Sequence, residues 1–171
     1  MINLIINLKN RSKKPIDQTA LRDHALSILR QTELGVYAIS LATSYVERAS
    51  GMNFDENTIT GPVVGLTELS SPLGLDAGEV ANHDETFDDF DDFNGFNKKD
   101  TVKSVDVFNI KASVYYVAIT GSLSVPAGTN QWFKRMDLKV AGTAGRGGFE
   151  TAVYNAGVDT IKLSYIFSYF Y

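Results

Sequence analysis

The stretch that decides the fold is residues 16–52, which read IDQTALRDHALSILRQTELGVYAISLATSYVERASGM. Its apolar side chains recur at steps of three and four residues, the period of one face of an α-helix. They are Leu21, Ala25, Ile28, Leu29, Tyr37, Leu41, Tyr45, Val46 and Ala49. Asp17 or Thr19 offers an N-cap, and Gly51 offers a stop. A helix of roughly 30 residues would be about 45 Å long. Because that length exceeds the radius of a domain of this size, we expect part of the helix to project or to pack against another chain.

The residues after the helix, 53–171, predict a β-rich head. Glycine, proline and a dense run of aspartate break any periodicity up to about residue 100. Residues 102–120 are rich in β-branched and aromatic side chains and predict two strands, or one long bent strand, with a turn near residues 109–111. Residues 132–141 and 160–171 predict two more strands. Since the helix comes first and the strands follow, we expect an α+β fold, with a long amphipathic N-terminal helix packed on an antiparallel sheet.

The residues before the helix, 1–15, predict an extended arm. Apolar residues at Ile2, Leu4, Ile6 and Leu8 alternate with other positions, which is the period of a half-buried strand. The apolar run is too short for a membrane span and has no basic segment ahead of it. Pro15 separates this arm from the helix, because the residue before a proline is biased away from the helical conformation.

Composition excludes several classes of function. Of 171 residues, 16 are basic and 20 acidic, and the net charge is −4. Without a basic stripe to neutralise phosphates, we expect no nucleic-acid partner. The chain has no cysteine and only two histidines, far apart in sequence, so thiol chemistry is excluded and a nucleophile–base pair is hard to assemble. Loop carboxylates outside an apolar pocket are poor acid–base catalysts. We therefore expect that the chain is not an enzyme.

The most distinctive segment is the acidic loop, residues 83–96, which reads HDETFDDFDDFNGF. Two interpretations stay open. In the first, hard oxygen ligands bind calcium, the one cofactor that the sequence suggests. The predicted ligands are Asp88, Asp89, Asp91, Asp92 and Asn94. In the second, the loop is a solvated acidic segment that phenylalanines, recurring every three residues, anchor to the core. These are Phe87, Phe90, Phe93 and Phe96.

Four segments together resemble type IV pilin-like proteins, especially the minor-pilin group of MSHA-type pili. They are residues 38–56 (AISLATSYVERASGMNFDE), 88–95 (DDFDDFNG), 133–140 (FKRMDLKV) and 160–167 (TIKLSYIF). The resemblance implies export, assembly by packing of N-terminal helices, and no catalysis. The front of the chain departs from that family: pilins begin with about two dozen apolar residues and a glutamate near position five, whereas this chain has Ile5 there.

These observations predict a structural subunit of an extracellular homopolymeric filament or pilus-like fibre. Its partner would be a second copy of the chain, and contact with a membrane would be transient at most, before assembly. The arm could join subunits by adding as a β-strand to a neighbour's sheet. The helix could instead join them through Leu21, Ile28 and Leu29. The alternative function is a monomeric cell-surface adhesin or binding module.

Overall fold

The computed structural model describes residues 17–102, 106–143 and 160–170. It has one long N-terminal helix followed by a five-stranded antiparallel sheet, which confirms the predicted α+β class. The predicted arm, with Ile2, Leu4, Ile6 and Leu8, lies outside the described residues.

Helix α1 spans Gln18–Ser50, close to the predicted range of residues 16–52. It begins where the Asp17 carboxylate accepts hydrogen bonds from the backbone N–H groups of Thr19 and Ala20, at 3.0 and 3.3 Å. Capping of these otherwise unpaired N–H groups typically stabilises a helix by about 1 kcal/mol. Within the described part of the chain, no helix combines the length and the apolarity that crossing a bilayer requires.

The sheet is formed by β1 (Asn97–Val102), β2 (Asp106–Thr120), β3 (Leu123–Pro126), β4 (Phe133–Thr143) and β5 (Ile161–Ser168). The strand order is β1-β2-β4-β5, and β3 also pairs with β2. A short helix α2 (Glu56–Ile59) and 3₁₀ turns at Leu66–Glu68 and Asp91–Phe93 lie in the segment between α1 and β1.

Of the two interpretations of residues 102–120, one long strand is confirmed, and the predicted turn at residues 109–111 is wrong. β2 runs through it without interruption, and Ile110 pairs with Lys98 of β1 and with Val140 of β4. The polar residues Asn109 and Lys111 resembled a turn in the sequence. In the strand they alternate with buried Phe108 and Ile110, so their polarity marks the outer face of the sheet.

Strands β1 and β3 were not predicted. β1 reads NKKDTV and has no buried residue, so hydrophobic alternation gives no signal. β3 has four residues and follows β2 through a two-residue loop. Gly121 begins that loop with φ +63°, the left-handed conformation that tight hairpins favour.

The core lies between the C-terminal half of α1 and the inner face of the sheet. Small residues Ala38, Ala42 and Ala49 are buried and let the helix approach the sheet closely. The inner face contributes large side chains from β2 and β4: Phe108, Ile110, Val114, Met136, Leu138 and Val140. The acidic loop adds Phe87, Phe90, Phe93 and Phe96, all buried, so the predicted anchoring by phenylalanine is confirmed.

We predict that Ala42→Leu lowers the free energy of unfolding by about 1–3 kcal/mol, because three additional carbons enter a packed helix–sheet contact. Ala20→Leu, at an exposed position of the same helix, is the matched control and should change it by less than about 0.5 kcal/mol. Urea denaturation followed by circular dichroism measures both. Equal stability of the two variants would contradict this description of the contact.

Candidate functional site

The first candidate site is the part of α1 that extends beyond the head. Of residues 18–32, only Ser27 is partly covered, and the others are exposed. Contact with the core begins at Leu34. At 1.5 Å per residue, about 22 Å of helix therefore extends beyond the sheet.

Large aliphatic side chains form an exposed stripe along this helix, which we call the apolar stripe. Its members and their exposed fractions are Leu21 (61 %), Ile28 (48 %), Leu29 (66 %), Val36 (58 %) and Ile39 (54 %). The structure thus places the predicted assembly residues Leu21, Ile28 and Leu29 together on one exposed surface. Their role in assembly stays a prediction.

The apolar stripe and the face that contacts the sheet are different sides of the helix. Successive residues are rotated by about 100°, which places the stripe about 110° around the axis from the buried Ala38, Ala42, Tyr45 and Ala49. The stripe is therefore not an extension of the core contact. An isolated subunit leaves it exposed to water.

The second candidate site is a buried network around Lys134, on the inner face of β4. The ammonium group donates to the Phe54 carbonyl oxygen at 2.7 Å and to Asp55 Oδ2 at 2.8 Å, and it also contacts Asp91 Oδ1. It lies 4.6 Å from the centroid of the Phe54 ring, close enough for a cation–π interaction. Lys134, Asp55 and Asp91 are all fully buried.

Asp55 is the best-satisfied carboxylate of this network. It accepts hydrogen bonds from the backbone and hydroxyl of Ser70 at 2.9–3.0 Å, and one from the Tyr116 hydroxyl at 3.2 Å. Burial alone would raise its pKa, but Lys134 and the Ser70 hydrogen bonds outweigh burial and hold the pKa below its ordinary value. At Asp91 burial prevails, and the pKa is raised although Lys134 opposes the shift.

Two further carboxyl groups of the acidic loop are buried and form no salt bridge with another described residue. Asp89 is 0 % and Asp92 1 % exposed. Burial first, and then the neighbouring carboxylates Asp91 and Asp92, raise the pKa of Asp89 to about 9. Burial first, and then contact with Glu79, raise the pKa of Asp92 to about 8. The expectation of a solvated acidic loop is therefore wrong for Asp89, Asp91 and Asp92.

The structure separates the five predicted calcium ligands. Asp88 is exposed, and Asp91 is paired with Lys134. Asn94 donates to the Leu73 carbonyl oxygen and accepts from the Val114 N–H. Of the five, Asp89 and Asp92 belong to two groups of carboxylates close enough to share a metal ion, and these groups also include Glu56, Asp76 and Glu79. These three residues were not predicted, because nothing in the sequence places them beside the acidic loop.

Comparison with protein-family models found no match, and neither did comparisons with curated proteins and with solved structures. The resemblance to pilin-like proteins therefore stays a prediction from the sequence.

We predict that Lys134→Met destabilises the protein by about 3–5 kcal/mol, because it leaves two buried carboxylates without their cation. Lys139→Met, at an exposed position of the same strand, is the matched control and should cost less than about 0.5 kcal/mol. Combining Lys134→Met with Asp55→Asn and Asp91→Asn should restore much of the loss, since no unpaired charge is then buried. Urea denaturation gives the free energy of unfolding of all three variants. If the triple variant is no more stable than Lys134→Met, the destabilisation does not have an electrostatic origin.

Proposed function

We propose that this chain is a structural subunit of an extracellular, pilus-like homopolymeric filament, and that it is not an enzyme. The observation that carries the proposal is the apolar stripe on a helix that extends beyond its own head. Large exposed apolar surfaces of this kind mark contacts with other proteins.

The size of the stripe is adequate for assembly. Fully burying a large aliphatic side chain contributes about 1.5–3 kcal/mol, so covering five that are already about half buried contributes roughly 5 kcal/mol in total. That amount is repeated at every subunit contact. In a polymer, weak contacts of this size act together along the fibre.

The spacing of the stripe suits a second helix. Positions 21, 25, 28, 32, 35 and 39 alternate in steps of four and three, the repeat by which paired helices keep one seam in contact. Ala25 and Gly35 lie on this seam, and an added Cβ at Gly35 would meet nothing within 4 Å. Small side chains there allow another helix to approach closely. The partner that this geometry favours is the same helix of another copy.

The overall architecture agrees with the family resemblance. A helix that packs on an antiparallel sheet through its C-terminal half, and leaves its N-terminal half for neighbours, is the arrangement that a pilin-like chain requires. An extracellular location follows from that resemblance and is part of the proposal.

The arm, residues 1–15, adds a second contact in this proposal. Among the described strands, β1, β3 and β5 pair with another strand on one side only. A strand edge with no neighbour can accept an added strand through its backbone N–H and C=O groups. We propose that the alternating residues Ile2 to Leu8 pair with such an edge on a neighbouring subunit.

We predict that replacing three stripe residues, Leu21→Gln, Ile28→Gln and Leu29→Gln, abolishes polymerisation and leaves the unfolding transition of the head unchanged. Glutamine keeps helix propensity close to that of leucine, so the loss is one of apolar contact. Negative-stain microscopy and sedimentation velocity report the assembly state.

The matched control replaces three exposed aliphatic residues elsewhere, Val64→Gln, Leu75→Gln and Val80→Gln, and should polymerise normally. Monodisperse wild-type particles under all concentrations and salts would overturn the filament proposal and favour the monomeric adhesin. Normal filaments from the stripe variant would reject the stripe as the contact.

Deletion of residues 1–8 tests the arm separately. We expect the truncated chain to fold, as judged by an unchanged circular dichroism spectrum, and to form few or no filaments. Unchanged polymerisation would reject strand addition and assign assembly to the helix alone.

A further inference from the structure

Five carboxylates from three separate segments converge beside the Lys134 network. Glu56 lies in α2, Asp76 and Glu79 lie in the following loop, and Asp89 and Asp92 lie in the acidic loop. Carboxylate oxygens of Glu56, Asp76 and Asp89 lie within 4.8 Å of one another, and so do those of Asp76, Glu79 and Asp92. Asp76 belongs to both groups and joins them.

Two of these carboxylates are buried with an oxygen that has no partner. Within the described part of the chain, neither Asp89 Oδ2 nor Asp92 Oδ1 accepts a hydrogen bond. Their other oxygens are used: Asp89 Oδ1 accepts from the Asp91 N–H, and Asp92 Oδ2 accepts from the N–H groups of Asp88 and Asp89. A buried polar atom without a partner costs about 1–3 kcal/mol, and more when it is charged. We therefore expect these two oxygens to contact a ligand.

The charge balance indicates a cation. Asp84, the other buried acid of this segment, is paired with both Arg48 and Lys98. Asp55 and Asp91 share Lys134. By contrast, no salt bridge between described residues involves any of the five carboxylates.

We propose that Glu56, Asp76, Glu79, Asp89 and Asp92 form a calcium site. All five donors are hard carboxylate oxygens, and none is nitrogen or sulfur. Calcium–oxygen distances of about 2.3–2.6 Å place two ligands of one ion at most about 4.6–5.2 Å apart, and the oxygens within each of the two groups meet that limit. Magnesium requires a tighter octahedral shell of about 2.0–2.1 Å and usually keeps several waters, so this carboxylate-rich site favours calcium.

The bound ion would hold together a region with little regular structure. Between α2 and β1, the described chain has only two 3₁₀ turns. Calcium would connect α2, the loop around Asp76 and the acidic loop, and would thereby fix the edge of the head beside Lys134. This inference does not depend on filament formation, since the ligands come from one subunit.

Isothermal titration of the chelator-treated full chain with calcium chloride tests the site directly. We expect binding with a Kd of about 1 mM or tighter, the range of extracellular calcium modules. Saturating calcium should raise the Tm by at least about 5 °C, and magnesium at the same concentration should raise it less. No binding heat and no Tm shift at about 10 mM calcium would overturn the proposal.

Isosteric variants assign the site to these residues. Asp92→Asn and Asp89→Asn keep the side-chain shape but remove the charge, so we expect calcium binding to weaken at least tenfold. Without calcium, both variants should have a Tm equal to or above that of the wild type, because a neutral amide carries no charge that burial can penalise. Glu79→Gln, at a partly exposed position, should weaken binding as well and provides a variant with less risk to folding.

Glu47→Gln, an exposed carboxylate on α1, is the matched control and should bind calcium like the wild type. Wild-type calcium affinity in Asp92→Asn, Asp89→Asn and Glu79→Gln would overturn the assignment, because the ion would then bind elsewhere. An equal loss of calcium affinity in Glu47→Gln would also overturn the assignment, since calcium binding would then depend on net charge alone.

Discussion

The ammonium group of Lys134 connects three segments that are far apart in sequence. Its partners are the Phe54 carbonyl and the Asp55 carboxylate, just after the long helix, and Asp91 in the acidic loop. Burying a lysine costs several kcal/mol unless its three donors are satisfied, and here each has an oxygen. The segment between α1 and β1 has little regular structure, so its position depends on this cation and on the four phenylalanines that enter the core.

The same network affects the electrostatic environment of the neighbouring acids, Asp89 and Asp92. One ammonium group neutralises one of its two carboxylates, so the pair Asp55 and Asp91 already leaves a net negative charge beside Asp89 and Asp92. Burial is the main cause of the raised pKa values of Asp89 and Asp92, and the neighbouring carboxylates add to it. A divalent cation held by Asp89 and Asp92 would complete the charge balance that Lys134 begins. Lys134 and the proposed ion would then both hold the acidic loop.

The sequence predicted the parts of this protein that repeat with a period. The helical period located α1 to within two residues at each end, and alternating apolar residues located β4 and β5. Lys134 was not predicted as a buried cation, although it is in phase with Met136, Leu138 and Val140, which places it on the buried face of the strand. The positions of Glu56, Asp76 and Glu79 beside Asp89 and Asp92 could not be predicted. The segment that brings these residues together has no periodic pattern in the sequence.

Helix α1 has two side-chain surfaces of different character. Its sheet-facing side uses small alanines, because a close helix–sheet approach leaves no room for larger side chains. About 110° around the axis, the apolar stripe has large aliphatic side chains instead, and the described residues of the head leave them exposed. Packing among the described residues therefore does not explain why Leu21, Ile28 and Leu29 are apolar, since polar residues there would keep the helix and improve solubility. The second helix that we propose in contact with the stripe would explain it, and it would also explain why the helix extends beyond the sheet.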